Sequence, residues 1–78
     1  MQPRPPDEID ELSRATYVFL GVRPRLFGIA YRMLGTAAEA EDIVQEVWLR
    51  WQSTDRSVVR DETAFLVTTT VRLAISLA

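Results

Sequence analysis

Apolar residues recur along this chain at helical spacing, and the breaks between runs are marked by proline, glycine or hydroxyl residues. From Asp7 the positions Ile9, Leu12, Phe19 and Leu20 lie near one helical face, with carboxylates crowded into the first turn where the helix dipole favours them. This pattern predicts a helix to about Val22. Residues 1–6, which hold three of the four prolines, read as a disordered lead-in to a domain covering residues 7–78. Pro24 then marks a break or a new first turn. From there to Leu34, the residues Leu26, Phe27, Ile29, Ala30, Tyr31, Met33 and Leu34 cover most of a helical circumference, so this stretch is expected to be mostly buried. Arg25, Gly28 and Arg32 are left on a narrow strip that a solvated edge would explain.

Gly35 suits the left-handed end of one helix, and Thr36 with Glu39 forms the Thr-x-x-Glu capping box of the next. A tight corner between two helices follows. At about 100° per residue, Ala37, Ala40, Ile43, Val44, Val47, Trp48 and Trp51 fall on one side of this helix. Core packing accounts for both tryptophans. Glu39, Asp42, Gln45, Glu46, Leu49 and Arg50 fall on the other side, where Leu49 is the misfit. A single exposed leucine is ordinary. Flanked by Asp42, Gln45 and Glu46 at i, i+3, i+4, i+7 spacing, it has the look of an apolar anchor within a polar contact stripe.

Gln52 to Arg60 is polar and irregular, a loop rather than a linker. Asp61 can cap a final helix with one apolar face at Leu66, Leu73 and Leu77 and another at Ala64, Val67, Val71, Ile75 and Ala78. Two such faces predict a helix sandwiched between neighbours. Between them runs a strip of Phe65, Thr68, Thr69, Arg72 and Ser76, an aromatic ring, hydroxyls and a guanidinium together. The pattern reaches Ala78 without a closing cap. The fold class expected is all-α, a compact bundle of three to four helices.

Charge and composition narrow the chemistry. The nine cationic residues are all arginine, against eleven carboxylates, and there is no cysteine or histidine. Disulfide scaffolds and thiolate metal sites are excluded, and the commonest general base and metal ligand are missing. The four carboxylates from Glu39 to Glu46 lack the Glu-x-x-His spacing of a di-iron helix pair. No glycine-rich phosphate loop appears, because Gly21, Gly28 and Gly35 fall seven apart, a spacing that would suit close helix packing. No catalytic residue, metal or cofactor is therefore expected. Nor is a membrane span, since no apolar run approaches about 18 residues, and a cytoplasmic location is the default. Residues 1–12 carry a balance of −3, whereas residues 13–78 carry eight arginines against seven carboxylates. Arg14, Arg23, Arg25 and Arg32 come without an intervening acid, and Glu39, Glu41, Asp42 and Glu46 without an intervening base. Such an acidic helix suits a partner with a basic face. So even a charge balance opposes unaided DNA binding, which needs many cations to neutralise phosphates.

The stretch Arg23-Pro-Arg-Leu-Phe-Gly-Ile-Ala-Tyr-Arg-Met-Leu-Gly-Thr, running into Ala38-Glu-Ala-Glu-Asp-Ile-Val-Gln-Glu-Val-Trp-Leu-Arg-Trp, closely resembles region 2 of sigma factors. The resemblance spans roughly residues 14–78 and is to the extracytoplasmic-function group of the sigma-70 superfamily, nearest to the subgroup with a SnoaL-like C-terminal extension. It implies a helical domain that docks on the clamp helices of the RNA polymerase beta-prime subunit and captures the non-template strand of the promoter minus-ten element. It further implies that Asp42, Gln45, Glu46 and Leu49 face the clamp helices. The loop holding Ser53, Thr54, Asp55, Arg56 and Arg60 corresponds to the one that holds a flipped promoter base. Phe65, Thr69, Arg72 and Ser76 correspond to the strand-melting face. An unstacked base needs an aromatic or guanidinium platform and polar groups for its edge, which these residue types supply. A core Phe65 and a solvated Arg72 are the alternative. Ser76 stands where the family usually has an acid, and Arg72 where many members have asparagine.

The resemblance also implies that a basic stretch and a region 4 domain would follow, so the chain is expected to be a fragment, a truncated reading frame or a module acting with something else. An anti-sigma factor is a further partner it allows. Two other readings stay open: a small helix-turn-helix DNA-binding regulator, and a polymerase-binding interaction protein that reads no promoter.

Overall fold

The computed structural model describes residues 6–77, and in them three α-helices and one 3-10 turn. Helix α1 is Pro6–Leu34, α2 is Ala37–Ser53, the 3-10 turn is Arg56–Val58, and α3 is Glu62–Leu77. The all-α bundle is as expected. Of the disordered lead-in, residues 1–5 lie outside the described residues, while Pro6 is the first residue of α1. Proline fits there because its missing N–H would have no intrahelical partner in a first turn.

Two helices were expected where α1 is continuous. Its 29 residues run straight through Pro24, giving a length of about 43 Å at the α-helical rise, close to the molecule's longest extent of 44 Å. The proline costs the bond that residue 24 would donate to the Leu20 carbonyl, a loss of up to about 3 kcal/mol. A buried stripe overrides it. Ala15 and Phe19 before the proline, and Leu26 and Ala30 after it, are buried on one face, so α2 and α3 hold both halves in line while Pro24 itself faces solvent.

The expectation that residues 24–34 are mostly buried is also corrected. Only Leu26 and Ala30 are fully enclosed, and Tyr31 and Met33 are exposed. With two neighbouring helices on one side, nothing surrounds the helix. Likewise Gly21 and Gly28 do not mediate close packing, since a Cβ at either would meet nothing within 4 Å. Gly35 does have the conformational role expected of it, with φ +87° at the corner, where its N–H donates to the Tyr31 carbonyl at 2.8 Å. Thr36 caps α2 by accepting from the Glu39 N–H at 3.2 Å.

Along α2 the expected face is inside: Ala40, Ile43, Val44, Val47 and Trp51 are buried, although Ala37 in the first turn is exposed. Trp51 lies at the centre, fully buried, and its indole N–H donates to the Ala15 carbonyl of α1 at 3.0 Å. Trp48 is half-buried against Phe19, ring centroids 4.9 Å apart. The helix continues to Ser53, two residues past the end of its apolar pattern, because Thr54 closes it by donating from its hydroxyl to the Arg50 carbonyl at 2.6 Å.

Helix α3 begins as expected at Asp61, whose carboxylate accepts from the Ala64 N–H at 2.9 Å. The helix packs against both α1 and α2, as a sandwiched helix would, but through one fully buried stripe and not two apolar faces. Leu66, Thr70 and Ala74 form one buried stripe, while Ala64, Ile75 and Leu77 are exposed. Thr70 is tolerated inside because its hydroxyl donates to the Leu66 carbonyl at 2.8 Å. Ion pairs tie α1 to every other element. Arg14 grips Glu62 of α3 through two bonds of 2.7 and 2.8 Å, Arg23 meets Glu41 of α2 at 2.7 Å, and Glu11 meets Arg56 of the loop at 2.8 Å. Arg14 and Arg23 are thus engaged within the chain, whereas Arg25 and Arg32 are exposed and make no ion pair among the described residues.

Candidate functional site

Two surfaces gather the residues singled out in the sequence. The first is the outer stripe of α2. Asp42, Gln45 and Leu49 are exposed, Leu49 at 53%, and Glu46 is half-exposed with its carboxylate accepting from the Arg50 guanidinium at 3.2 Å. Beside this stripe a cleft opens between α1 and α2, walled by Phe19, Leu20, Val44 and Trp48, with Gln45 at its lip. Apolar walls next to a carboxylate-rich stripe are suited to a helix carrying both cations and apolar side chains.

The second surface is a cleft of about 460 Å³ where the end of α2 meets α3, within the usual size of a ligand site, about 300–1,000 Å³. Ser53, Thr54, Phe65, Thr69, Arg72 and Ser76 line it together with Arg50 and Leu73. Six of the nine residues assigned to DNA are therefore neighbours. Two lining residues were missed, although their spacing signals them: Arg50 precedes Thr54 by one helical turn, and Leu73 follows Thr69 by one turn.

Four hydroxyls in this cleft are oriented by the backbone. Ser53 donates to the Arg50 carbonyl at 3.1 Å, Thr54 to the same carbonyl at 2.6 Å, Thr69 to Phe65 at 2.8 Å and Ser76 to Arg72 at 3.1 Å. With its proton committed to the helix, each oxygen keeps lone pairs for accepting. Arg72 supplies donors and is exposed with no ion pair among the described residues, and Arg50, whose Nε is held by Glu46, adds its remaining N–H groups. Phe65 belongs to both of the readings offered for it. It is half-buried against Trp51, centroids 5.8 Å apart and tilted by 44°, and it also lines the cleft. Acceptors, donors and an aromatic surface meet in one recess, a chemistry suited to a flat polar ring.

The remaining three residues assigned to DNA lie elsewhere. Arg60 is exposed and outside the cleft. Asp55 caps the 3-10 turn, accepting from both the N–H and the hydroxyl of Ser57, and these two bonds hold its carboxyl below the usual range, with Arg56 adding to the effect. Arg56 has its guanidinium turned inward, on the Trp51 and Gln52 carbonyls and on Glu11. Among the described residues no cluster of carboxylates is arranged to hold a metal ion.

The family of sigma-70 region 2 matches residues 18–78. An extracytoplasmic-function RNA polymerase sigma factor of Mycobacterium tuberculosis H37Rv, SigJ, is 51% identical over 57 residues, which is 73% of this chain. The chain spans 18% of that relative's length. No solved structure matches it. The match takes in residues 18–34 of α1 and all of α2 and α3, so the outer stripe of α2 and the cleft between α2 and α3 both fall within it: the chain belongs to the sigma-70 region 2 family.

Proposed function

We propose that this chain is the polymerase-binding and minus-ten-reading module of an extracytoplasmic-function sigma factor. It is a non-catalytic component of transcription initiation that works in the cytoplasm. Asp42, Gln45, Glu46 and Leu49 dock on the clamp helices of the beta-prime subunit. The cleft between α2 and α3 takes an unstacked base of the non-template strand. Phe65 and Arg72 offer it surfaces, and the hydroxyls of Ser53, Thr54, Thr69 and Ser76 meet its edge. Arg60, exposed at the end of the loop, meets a flanking phosphate. The observation that carries this reading is the convergence on one cleft of two groups assigned apart, Ser53 and Thr54 from the loop and Phe65, Thr69, Arg72 and Ser76 from the strip of α3.

The polymerase supplies what the chain lacks. It positions the DNA, so the cleft need contribute only a local contact, about 1–3 kcal/mol for each stacked base. The test is a pull-down with core polymerase followed by crosslinking to promoter DNA. The proposal expects retention on the polymerase and a crosslink to the non-template strand near the minus-ten element. Retention without strand selection would assign the chain to polymerase binding alone, and specific duplex binding without polymerase would make it a helix-turn-helix regulator.

A further inference from the structure

We infer that Arg56 is a positioning residue, an internal clamp that holds the α2–α3 cleft in shape and does not itself touch DNA. The inference rests on the reading of that cleft as a base site. Its basis is the set of partners around one guanidinium. Nη1 donates to the Trp51 carbonyl at 2.6 Å and to the Gln52 carbonyl at 3.1 Å, and Nε donates to Glu11 of α1 at 2.8 Å. The guanidinium carbon stands 5.6 Å from the centre of the Trp51 ring, and the side chain is only 9% exposed.

Each partner bears on the cleft. Trp51 and Gln52 are in the last turn of α2, where carbonyls have no donor four residues on, and apart from Arg56 the Trp51 carbonyl accepts a longer bond of 3.3 Å from the Thr54 N–H. Ser53 and Thr54 follow directly and form one wall, so the direction in which they leave the helix depends on how those carbonyls are satisfied. Trp51 also backs Phe65. Glu11 neutralises the guanidinium and fixes it to the long helix, which removes the free positive charge that a phosphate contact would need. Lysine could retain that charge, but its ammonium lacks the planar fork that reaches two carbonyls and a carboxylate while lying against an indole.

The test uses the whole chain bound to core polymerase. The probe is a pool of duplexes carrying a short pre-melted bubble with randomised non-template bases, and affinity, salt dependence and base enrichment are measured. Arg56→Ala and Arg56→Lys should both weaken binding to the enriched DNA by about tenfold and flatten the enrichment, with the salt slope unchanged. Glu11→Ala should act in the same direction, although deleting a carboxylate would strengthen an electrostatic contact. It also carries the test if the Arg56 variants fail to fold, since Glu11 is on the surface. Rescue by lysine, or tighter binding by Glu11→Ala, would overturn the assignment in favour of a phosphate contact. Thr69→Val and Arg72→Ala separate the two levels of the argument. If they leave the enrichment intact, the base-site reading fails and the clamp falls with it. If they abolish it while Arg56→Ala does not, the clamp alone fails.

Discussion

Trp51 joins more of this molecule than its size requires: it is fully enclosed, bonded to the Ala15 carbonyl of α1, and packed against Phe65 of α3. Trp51→Ala should lower stability by roughly 3–5 kcal/mol in a urea melt. Leu49, on the opposite side of the same helix, should behave in the reverse manner. Leu49→Glu should leave stability within about 0.5 kcal/mol and weaken binding to core polymerase by about 1–3 kcal/mol. A titration showing unchanged affinity would remove the contact-stripe reading. Asp55 gives a pH dependence. Because its folded pKa is lowered by the two Ser57 bonds and by Arg56, its contribution is present above the unfolded value of about 3.9 and is lost as pH falls through the folded one. The stability gap between the parent and Asp55→Ala should therefore be constant near neutrality and shrink in strong acid. A gap that widened in acid would mean the carboxyl is not stabilised by ionisation. Periodicity made Trp51 and Leu49 legible in the sequence, since opposite faces of one helix differ in polarity. The position of Arg56 left no such trace, because two of its partners are main-chain carbonyls and the third is Glu11, far away along the chain.

At the scale of elements, the corner at Gly35 and Thr36 and the cap at Asp61 were legible because each depends on residues within one turn. The course of α1 across Pro24 was not. A proline weakens a helix locally, whereas the burial of Phe19 and Leu26 on either side comes from α2 and α3, which no local window contains. The same limit explains α3, whose apolar residues mark two faces although the fully buried stripe is Leu66, Thr70 and Ala74, with Val67 and Leu73 only partly covered and Ile75 and Leu77 exposed. If packing rather than local preference holds α1 together, restoring the missing N–H should help. Pro24→Ala is expected to stabilise the chain by about 1–3 kcal/mol, seen as a higher midpoint in thermal or urea unfolding. A lower midpoint would show that the proline ring is itself part of the structure.

The molecule as a whole is a weak candidate for holding DNA unaided. Its nine arginines face eleven carboxylates, and Arg14, Arg23, Arg50 and Arg56 are spent on internal pairs. A gel shift with duplex promoter and no polymerase should show no specific complex at moderate salt. Tight, sequence-selective binding there would contradict a polymerase-dependent module. The convergence of residues from α2 and α3 on one cleft was only half legible. The sequence grouped Phe65, Thr69, Arg72 and Ser76 on one strip, but bringing Ser53, Thr54 and Arg50 against that strip requires the loop to turn back on itself. Trp51 beneath Phe65 has an optical consequence. The chain has two tryptophans, and replacing the half-buried Trp48 by phenylalanine would leave a single indole whose emission originates directly behind the cleft. Movement of the loop, or a base stacked on Phe65, would then change the colour and lifetime of that emission, making the molecule its own fluorescent reporter of strand capture without an attached dye.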